Sequence, residues 1–137
     1  MGLNIVVLAP DGIVWETPAE EVVLPSKTGQ LGILPNHAPL ITALDIGVLR
    51  VKIDQAWKLL VTFGGVAHVV DNKVSVLISG SEEVLKEDYE ESLQFMKEAA
   101  ESLRNAQTLT LKQKIEAAQM YKLALTKIQA YEFLNRN

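Results

Sequence analysis

Glycine and proline stop abruptly partway along this chain. All eight glycines and all five prolines lie within the first 80 residues, and neither residue occurs from Glu82 onward. Both residues punctuate short strands and turns but are unfavourable inside helices, so the break predicts two units, residues 1–81 and residues 82–137. We therefore expect an α+β protein, with an N-terminal antiparallel β-sandwich followed by a C-terminal antiparallel two-helix hairpin.

Short apolar runs rich in β-branched residues fill the first unit. Turn-forming residues separate these runs, as at Asp54–Gln55, Gly64–Gly65 and Asp71–Asn72. Many short strands at regular spacing are typical of a sandwich or barrel. The predicted strands are Leu3–Leu8, Ile13–Trp15, Glu20–Leu24, Leu40–Leu44, Val48–Ile53, Trp57–Phe63, Val66–Val70 and Val74–Ile78, with a further short strand around Leu31.

Helical periodicity and capping residues define the hairpin in the second unit. Asp88 with Glu91, and Thr110 with Gln113, have the spacing of helix-capping boxes. Apolar residues then recur at helical spacing, which predicts one buried stripe on each helix. The first stripe is Tyr89, Leu93, Met96, Ala100 and Leu103, and the second is Leu111, Ile115, Ala118, Tyr121, Leu125 and Ile128.

Composition and motif searches argue against several classes of protein. The 137-residue chain has no cysteine, so we expect no disulfide framework and no thiolate-bound metal. We expect no signal or transit peptide, and no apolar run approaches the roughly 18 residues of a membrane helix. His37 and His68 lack metal-ligand spacing, and no nucleophile elbow or phosphate loop is present. We expect no catalytic residues, no metal, no other cofactor and no nucleic-acid partner.

Charge is distributed unevenly along the hairpin. The chain carries a net charge of −4, but residues 82–105 hold eight acids against three bases, and residues 106–137 hold two acids against five bases. One interpretation is that the two helices attract each other through their solvated faces. The other is that the basic second helix also binds an acidic partner elsewhere.

The most distinctive motif is residues 25–40, in which three prolines and two glycines frame a short apolar run. Prolines fix the backbone and cannot donate to a sheet, so we expect a short strand followed by a rigid loop that presents Gln30, Asn36 and His37 at the surface. The segment resembles the signature of the epsilon subunit of the F-type ATP synthase. The resemblance continues through residues 42–50 and 64–77.

This resemblance implies a non-catalytic rotor subunit of a proton-translocating ATP synthase. In that family the sandwich joins the gamma subunit to the membrane-embedded c-ring, and the hairpin restrains ATP hydrolysis when it extends toward the beta and alpha subunits of the catalytic head. The resemblance implies c-ring contact through Gln30, Leu31, Gly32 and Ile33, and gamma contact through His37, Ala38, Pro39 and Thr42. Residues 15–50 look most like cyanobacterial and plastid members, which implies a peripheral position on the cytoplasmic or stromal face of a coupling membrane of the thylakoid type, held there through partners.

The resemblance also carries two expectations for the hairpin. Its second helix is expected to engage an acidic segment of the beta subunits through Lys112, Lys114, Lys122 and Lys127. Some bacterial members bind ATP where the hairpin begins, through a motif close to Ile/Leu-Asp-x-x-Arg-Ala. Here Glu91 and Ser92 replace the arginine and alanine, and a carboxylate repels a triphosphate, so we expect no ATP binding. The alternative function is a small-ligand or nucleotide-sensing β-domain with a mobile hairpin, which nucleotide titration would distinguish.

Overall fold

The computed structural model describes residues 2–83, 88–104 and 109–134, which belong to two compact units, Met1–Glu83 and Val84–Asn137. The first unit contains eight strands and the second contains two helices. The strands are β1 Leu3–Ala9, β2 Gly12–Ala19, β3 Glu21–Ser26, β4 Gly29–Ile33, β5 Leu40–Ile53, β6 Ala56–Val70, β7 Lys73–Ile78 and β8 Ser81–Glu83. The helices are α1 Asp88–Arg104 and α2 Leu111–Leu134.

The strands join into one sheet that folds over on itself as a sandwich, which confirms the predicted fold class. The strand order is β2-β1-β7-β6-β5-β3-β4, and β8 pairs with β6. All of these pairs are antiparallel except β1 with β7, which run parallel. The sheet is therefore mixed rather than purely antiparallel as predicted.

Strands β5 and β6 are long, although each was predicted as two short strands. Gly47 does not end a strand but lies within β5, where a Cβ atom would come 2.5 Å from the Cβ of Pro25. Gly64 and Gly65, with φ of 110° and 155°, mark the place where β6 changes its partner from β8 to β7. These glycines serve close approach and bending rather than strand termination.

The core of the first unit is aliphatic and draws on nearly every strand. Inward-facing residues alternate with outward-facing ones, as expected for strands with one solvent-exposed face. The fully or almost fully buried members are Leu3, Ile5, Val7, Ala19, Val22, Leu24, Ile33, Leu44, Leu49, Val51, Leu60, Ala67, Val69, Val74, Val76 and Ile78.

The boundary between the units falls slightly later than the predicted one. Glu82 and Glu83 were expected at the start of a helix, but they form β8 and pair with Val61 and Leu60 of β6. Backbone hydrogen bonding at a sheet edge has outweighed the weak helical preference of this acidic segment. Residues 84–87, and with them the beginning of the predicted acidic helix, lie outside the described residues.

Helix α2 begins with the predicted capping box. The backbone N–H of Thr110 donates to Gln113 Oε1 at 2.9 Å, and the backbone N–H of Gln113 donates to Thr110 Oγ1 at 3.2 Å. These two bonds satisfy donors that a helix start would otherwise leave unpaired. The side chain of Asp88, in the other predicted box, lies outside the described residues.

The buried face of each helix differs from the predicted stripe. Among the α1 side chains that the structure describes, Ser92 and Ala99 are buried and Leu93 is exposed, and the side chain of Leu103 from the predicted stripe lies outside that description. On α2 burial is confined to the C-terminal half, at Ala124, Thr126, Ile128 and Ala130. The predicted contributions of Leu111, Ile115 and Ala118 are wrong, because all three are exposed. Small residues at the buried positions allow close packing, a pattern that a search for large apolar residues misses.

Candidate partner-binding surfaces

Strand β4 presents only part of the predicted c-ring contact to solvent. Gln30 and Gly32 are exposed, but the intervening Leu31 is half-buried and Ile33 is fully buried in the core. Successive side chains on a strand point to opposite faces, so Ile33 supports the strand from inside and its side chain is unavailable to a partner. Leu34, at 57% exposure, follows Gly32 on the outward side and was missed from the sequence.

Gln30 belongs to a basic and aromatic cluster on the outward surface of β4, β5 and β6. Arg50 Nη2 donates to Gln30 Oε1 at 2.8 Å. The Arg50 guanidinium carbon lies 5.8 Å from the centroid of the Trp57 ring, and Lys52 Nζ lies 5.9 Å from it. Cations at this distance from an aromatic face are attracted by its quadrupole. The hydrogen bond from Arg50 therefore fixes the orientation of the exposed Gln30 amide.

The loop after β4 is fastened to the turn between β6 and β7. The backbone N–H of Asn36 donates to Asn72 Oδ1 at 2.6 Å, and Asn72 Nδ2 donates to Asn36 Oδ1 at 3.4 Å. Asn36 has a positive φ of 68°, and the backbone N–H of His37 donates to the Leu34 carbonyl at 3.2 Å, which closes a turn. This reciprocal pairing holds the loop to a turn that is itself built into the sheet.

The predicted gamma-contact residues lie where this loop enters β5. Ala38 and Pro39 are exposed, and His37 is half-buried with Nδ1 2.7 Å from the Ala38 carbonyl oxygen. Thr42 is half-buried and pairs with the buried Ala67, so it lies on the inward-facing side of β5. The outward-facing neighbour of Thr42 is Ile41.

An exposed apolar face continues from this loop across three strands. Ile41 on β5 is 71% exposed, Val66 on β6 is 44% exposed and Leu77 on β7 is 56% exposed. Val66 pairs with both Ala43 and Leu77, which makes a row across the sheet. We call Ile41, Ala43, Val66 and Leu77 the apolar face. His68 is exposed beside Ile41 on this side.

Sequence reasoning missed the apolar face because it treated each strand separately. The alternating positions of Ile41 and Ala43 along β5 indicate part of this face in the sequence, but only strand pairing shows that Val66 and Leu77 extend it. Contiguous exposed apolar residues on neighbouring strands are characteristic of interaction surfaces.

The four lysines of α2 do not share one face. A helix turns about 100° per residue, so the lysines follow one another around α2 in the order Lys114, Lys122, Lys112 and Lys127, at steps of about 80°, 80° and 60°. Lys112, Lys114 and Lys122 are exposed, and Lys127 is half-buried. A single flat acidic partner therefore cannot meet all four lysines at once.

A groove of about 210 Å³ lies between the helices, lined by Glu91, Ser92 and Phe95 of α1 and by Leu123, Ala124 and Lys127 of α2. Glu91 and Ser92 are the residues that replace the arginine and alanine of the ATP motif. The groove is smaller than the roughly 300–1,000 Å³ of typical ligand pockets. A carboxylate in its lining disfavours a triphosphate.

The described part of the chain lacks two kinds of feature. Within it, no helix has the length and hydropathy needed to cross a membrane. Among the same residues, no group of His, Cys, Asp or Glu side chains is arranged to hold a metal ion.

Comparison with known proteins decides the family. The sequence profile described as ATP synthase, Delta/Epsilon chain, beta-sandwich domain matches residues 2–84. The chloroplastic ATP synthase epsilon chain of Pylaiella littoralis is 51% identical over 134 residues, which cover 98% of this chain and 100% of the relative. The chain belongs to the ATP synthase delta/epsilon family. The epsilon chain of Synechococcus elongatus, 46% identical over 95% of both chains, extends the likeness to cyanobacteria.

Chains in two solved mitochondrial ATP synthase structures share the fold. A chain in the mitochondrial ATP synthase of Euglena gracilis superimposes with a TM-score of 0.83 at 19% identity, covering 95% of this chain and 81% of the other. A chain of the Tetrahymena thermophila central stalk and c-ring gives a TM-score of 0.61 at 13% identity, covering 95% and 96%. As a delta/epsilon-type chain, the protein is a non-catalytic subunit, which agrees with the prediction from the sequence.

Proposed function

We propose that this chain is a rotor subunit whose sandwich connects the gamma subunit to the c-ring of a proton-translocating ATP synthase. The observation that carries the proposal is the apolar face, which begins directly after the fastened loop and crosses β5, β6 and β7. The neighbouring β4 surface differs in character, because it combines Gln30 and the basic Arg50 with the exposed Leu34. Two different surfaces on one stiff module suit a subunit that transmits rotation between two partners. The matching chain of Tetrahymena thermophila comes from a structure of the central stalk and c-ring, which supports the same arrangement.

The apolar face is the proposed gamma-binding surface. Burying Ile41, Val66 and Leu77 against a partner would remove exposed apolar area from water, at roughly 25 cal/mol per Å². Ala38 and Pro39 lie at the edge of this face, which includes them in the same contact. Thr42, facing inward, would support the strand rather than touch gamma.

A pair of matched substitutions tests gamma binding. Ile41→Asp places a charge in the apolar face, whereas Ile13→Asp places the same charge at an isoleucine of β2 with a similar exposure of 61%. We expect Ile41→Asp to weaken binding to purified gamma subunit at least tenfold and Ile13→Asp to leave it within about twofold. Equal binding by both variants would contradict the assignment.

The outward residues of β4 form the proposed c-ring surface. Gln30, Gly32 and Leu34 point outward together, and Arg50 holds the Gln30 side chain in place. In this proposal the c-ring and the other partner subunits hold this subunit at the membrane. The relatives from chloroplasts and cyanobacteria support a peripheral position on the stromal or cytoplasmic face of a thylakoid-type membrane.

The hairpin is proposed to restrain ATP hydrolysis by contacting the beta and alpha subunits of the catalytic head when it extends. Because the lysines of α2 spread around the helix, the engaged side can be identified from the lysines that matter. The double variants Lys112→Gln/Lys127→Gln and Lys114→Gln/Lys122→Gln serve as each other's controls in reconstituted enzyme. We expect a larger increase in hydrolysis from one pair than from the other, with the increase reduced at high salt. Unchanged or slower hydrolysis with both variants still bound would refute engagement through these lysines.

A further inference from the structure

Two tyrosines join the helices of the hairpin at its open end. Tyr89 lies one residue into α1, and Tyr131 lies three residues before the end of α2. Their rings stack with centroids 4.5 Å apart and an interplanar angle of 29°. The Tyr89 hydroxyl donates a hydrogen bond of 3.2 Å to Glu132 Oε1. The chain itself connects the helices only at the opposite end, through residues 105–110.

We propose that Tyr89, Tyr131 and Glu132 form a latch that keeps the hairpin folded and must break before the helices separate. The stack supplies apolar contact and the carboxylate supplies a charge-assisted hydrogen bond, so the three groups close the end that the chain leaves free. The link from this latch to regulation rests on the proposed restraint of hydrolysis by the extended hairpin.

The rest of the hairpin explains why such a latch matters. Toward the connecting segment, α2 exposes Leu111, Ile115 and Met120, so that half offers little buried packing. Near the open end, the groove beside Ser92 and Ala124 leaves space between the helices. A two-helix hairpin with so small a buried surface is only marginally stable, and a few contacts set its opening equilibrium.

Hydrogen exchange of the α1 amides in the isolated full chain measures that equilibrium. Tyr131→Leu removes the stacked ring but keeps an apolar helix former, and Tyr121→Leu makes the same change elsewhere on α2 as the control. We expect exchange to accelerate about 2- to 12-fold in Tyr131→Leu, the range given by the strength of aromatic pairs. Tyr89→Phe keeps the stack and removes only the hydrogen bond, and an acceleration of about 2- to 12-fold is expected from the strength of such a bond. Amides of the sandwich should not change in any variant.

A double-mutant cycle completes the test. Tyr89→Leu and Tyr131→Leu should be non-additive, because each removes the same stack. Additive effects, or equal exchange in Tyr131→Leu and Tyr121→Leu, would overturn the latch.

In reconstituted enzyme, opening the latch should slow ATP hydrolysis by favouring the extended hairpin. Faster exchange in the isolated chain with unchanged hydrolysis would leave the latch standing and refute the inhibitory role of the hairpin. Unchanged exchange would refute the latch whatever the hydrolysis rate.

Discussion

The substitution Gly32→Val tests partner contact at β4 independently of folding. A Cβ atom built at Gly32 has no heavy atom within 4 Å, and Gly32 is not among the glycines with positive φ. Neither close approach within the chain nor a positive φ therefore requires glycine at this position. The added side chain therefore has space and an acceptable backbone. Any loss of assembly would have to come from a partner that approaches Gly32.

The expected stability change can be given a sign and a size. Replacing a strand glycine by a β-branched residue lowers the entropy of the unfolded chain and suits a pleated surface, a gain of up to about 1 kcal/mol. For a unit of this size that corresponds to an increase of about 4–8 °C in Tm. Thermal unfolding followed by circular dichroism measures this value. Ala56→Val, at another exposed strand position, is the control for a surface valine.

The assembly assay is co-purification with gamma subunit and c-ring. We expect Gly32→Val to lose ring recovery while retaining gamma, and Ala56→Val to retain both. Recovery of ring by Gly32→Val at wild-type level, with an unchanged or raised Tm, would refute the proposed ring surface on β4.

Three further predictions follow from the fold and the hairpin. Gly65→Ala should lower stability by at least about 2 kcal/mol in urea unfolding, because its Cβ would overlap the Leu77 carbonyl oxygen, whereas Gly32→Ala should not. A chain ending after Glu83 should give the circular dichroism of a folded β-sheet, and one ending after Gly80, which loses β8, should unfold at lower temperature. Partial burial, followed by the hydrogen bond to Glu132, raises the pKa of Tyr89 above its ordinary value of about 10. The contribution of Tyr89 to hairpin stability is therefore present below pH 10 and is lost as the pH rises through the raised pKa. Phenolate absorbance should show this late titration, and Tyr89→Phe should remove it.

Sequence reasoning succeeded where local patterns determine the structure. The motif at residues 25–40 identified the family, and the Thr110–Gln113 box marked the start of α2 to the residue. Sequence reasoning failed where the structure depends on contacts between strands that are distant in the sequence. Gly47 is tolerated inside β5 because Pro25 of β3 packs against it, and no signal near Gly47 in the sequence reveals that contact.

The candidate surfaces show the same division. The exposed loop was predicted, but its attachment through Asn36 and Asn72 joins residues 36 positions apart. Ile33 was assigned to a partner because it stands in the motif, although strand alternation places it in the core.

Site-specific photo-crosslinking in the assembled enzyme tests the central claim most directly. A photoreactive side chain at position 30 samples the β4 surface, and one at position 41 samples the apolar face. The proposed arrangement predicts that position 30 crosslinks to the c-ring and position 41 to the gamma subunit, with no exchange between them. Crosslinks from both positions to the same subunit, or from position 41 to the ring, would contradict a sandwich that bridges the two partners.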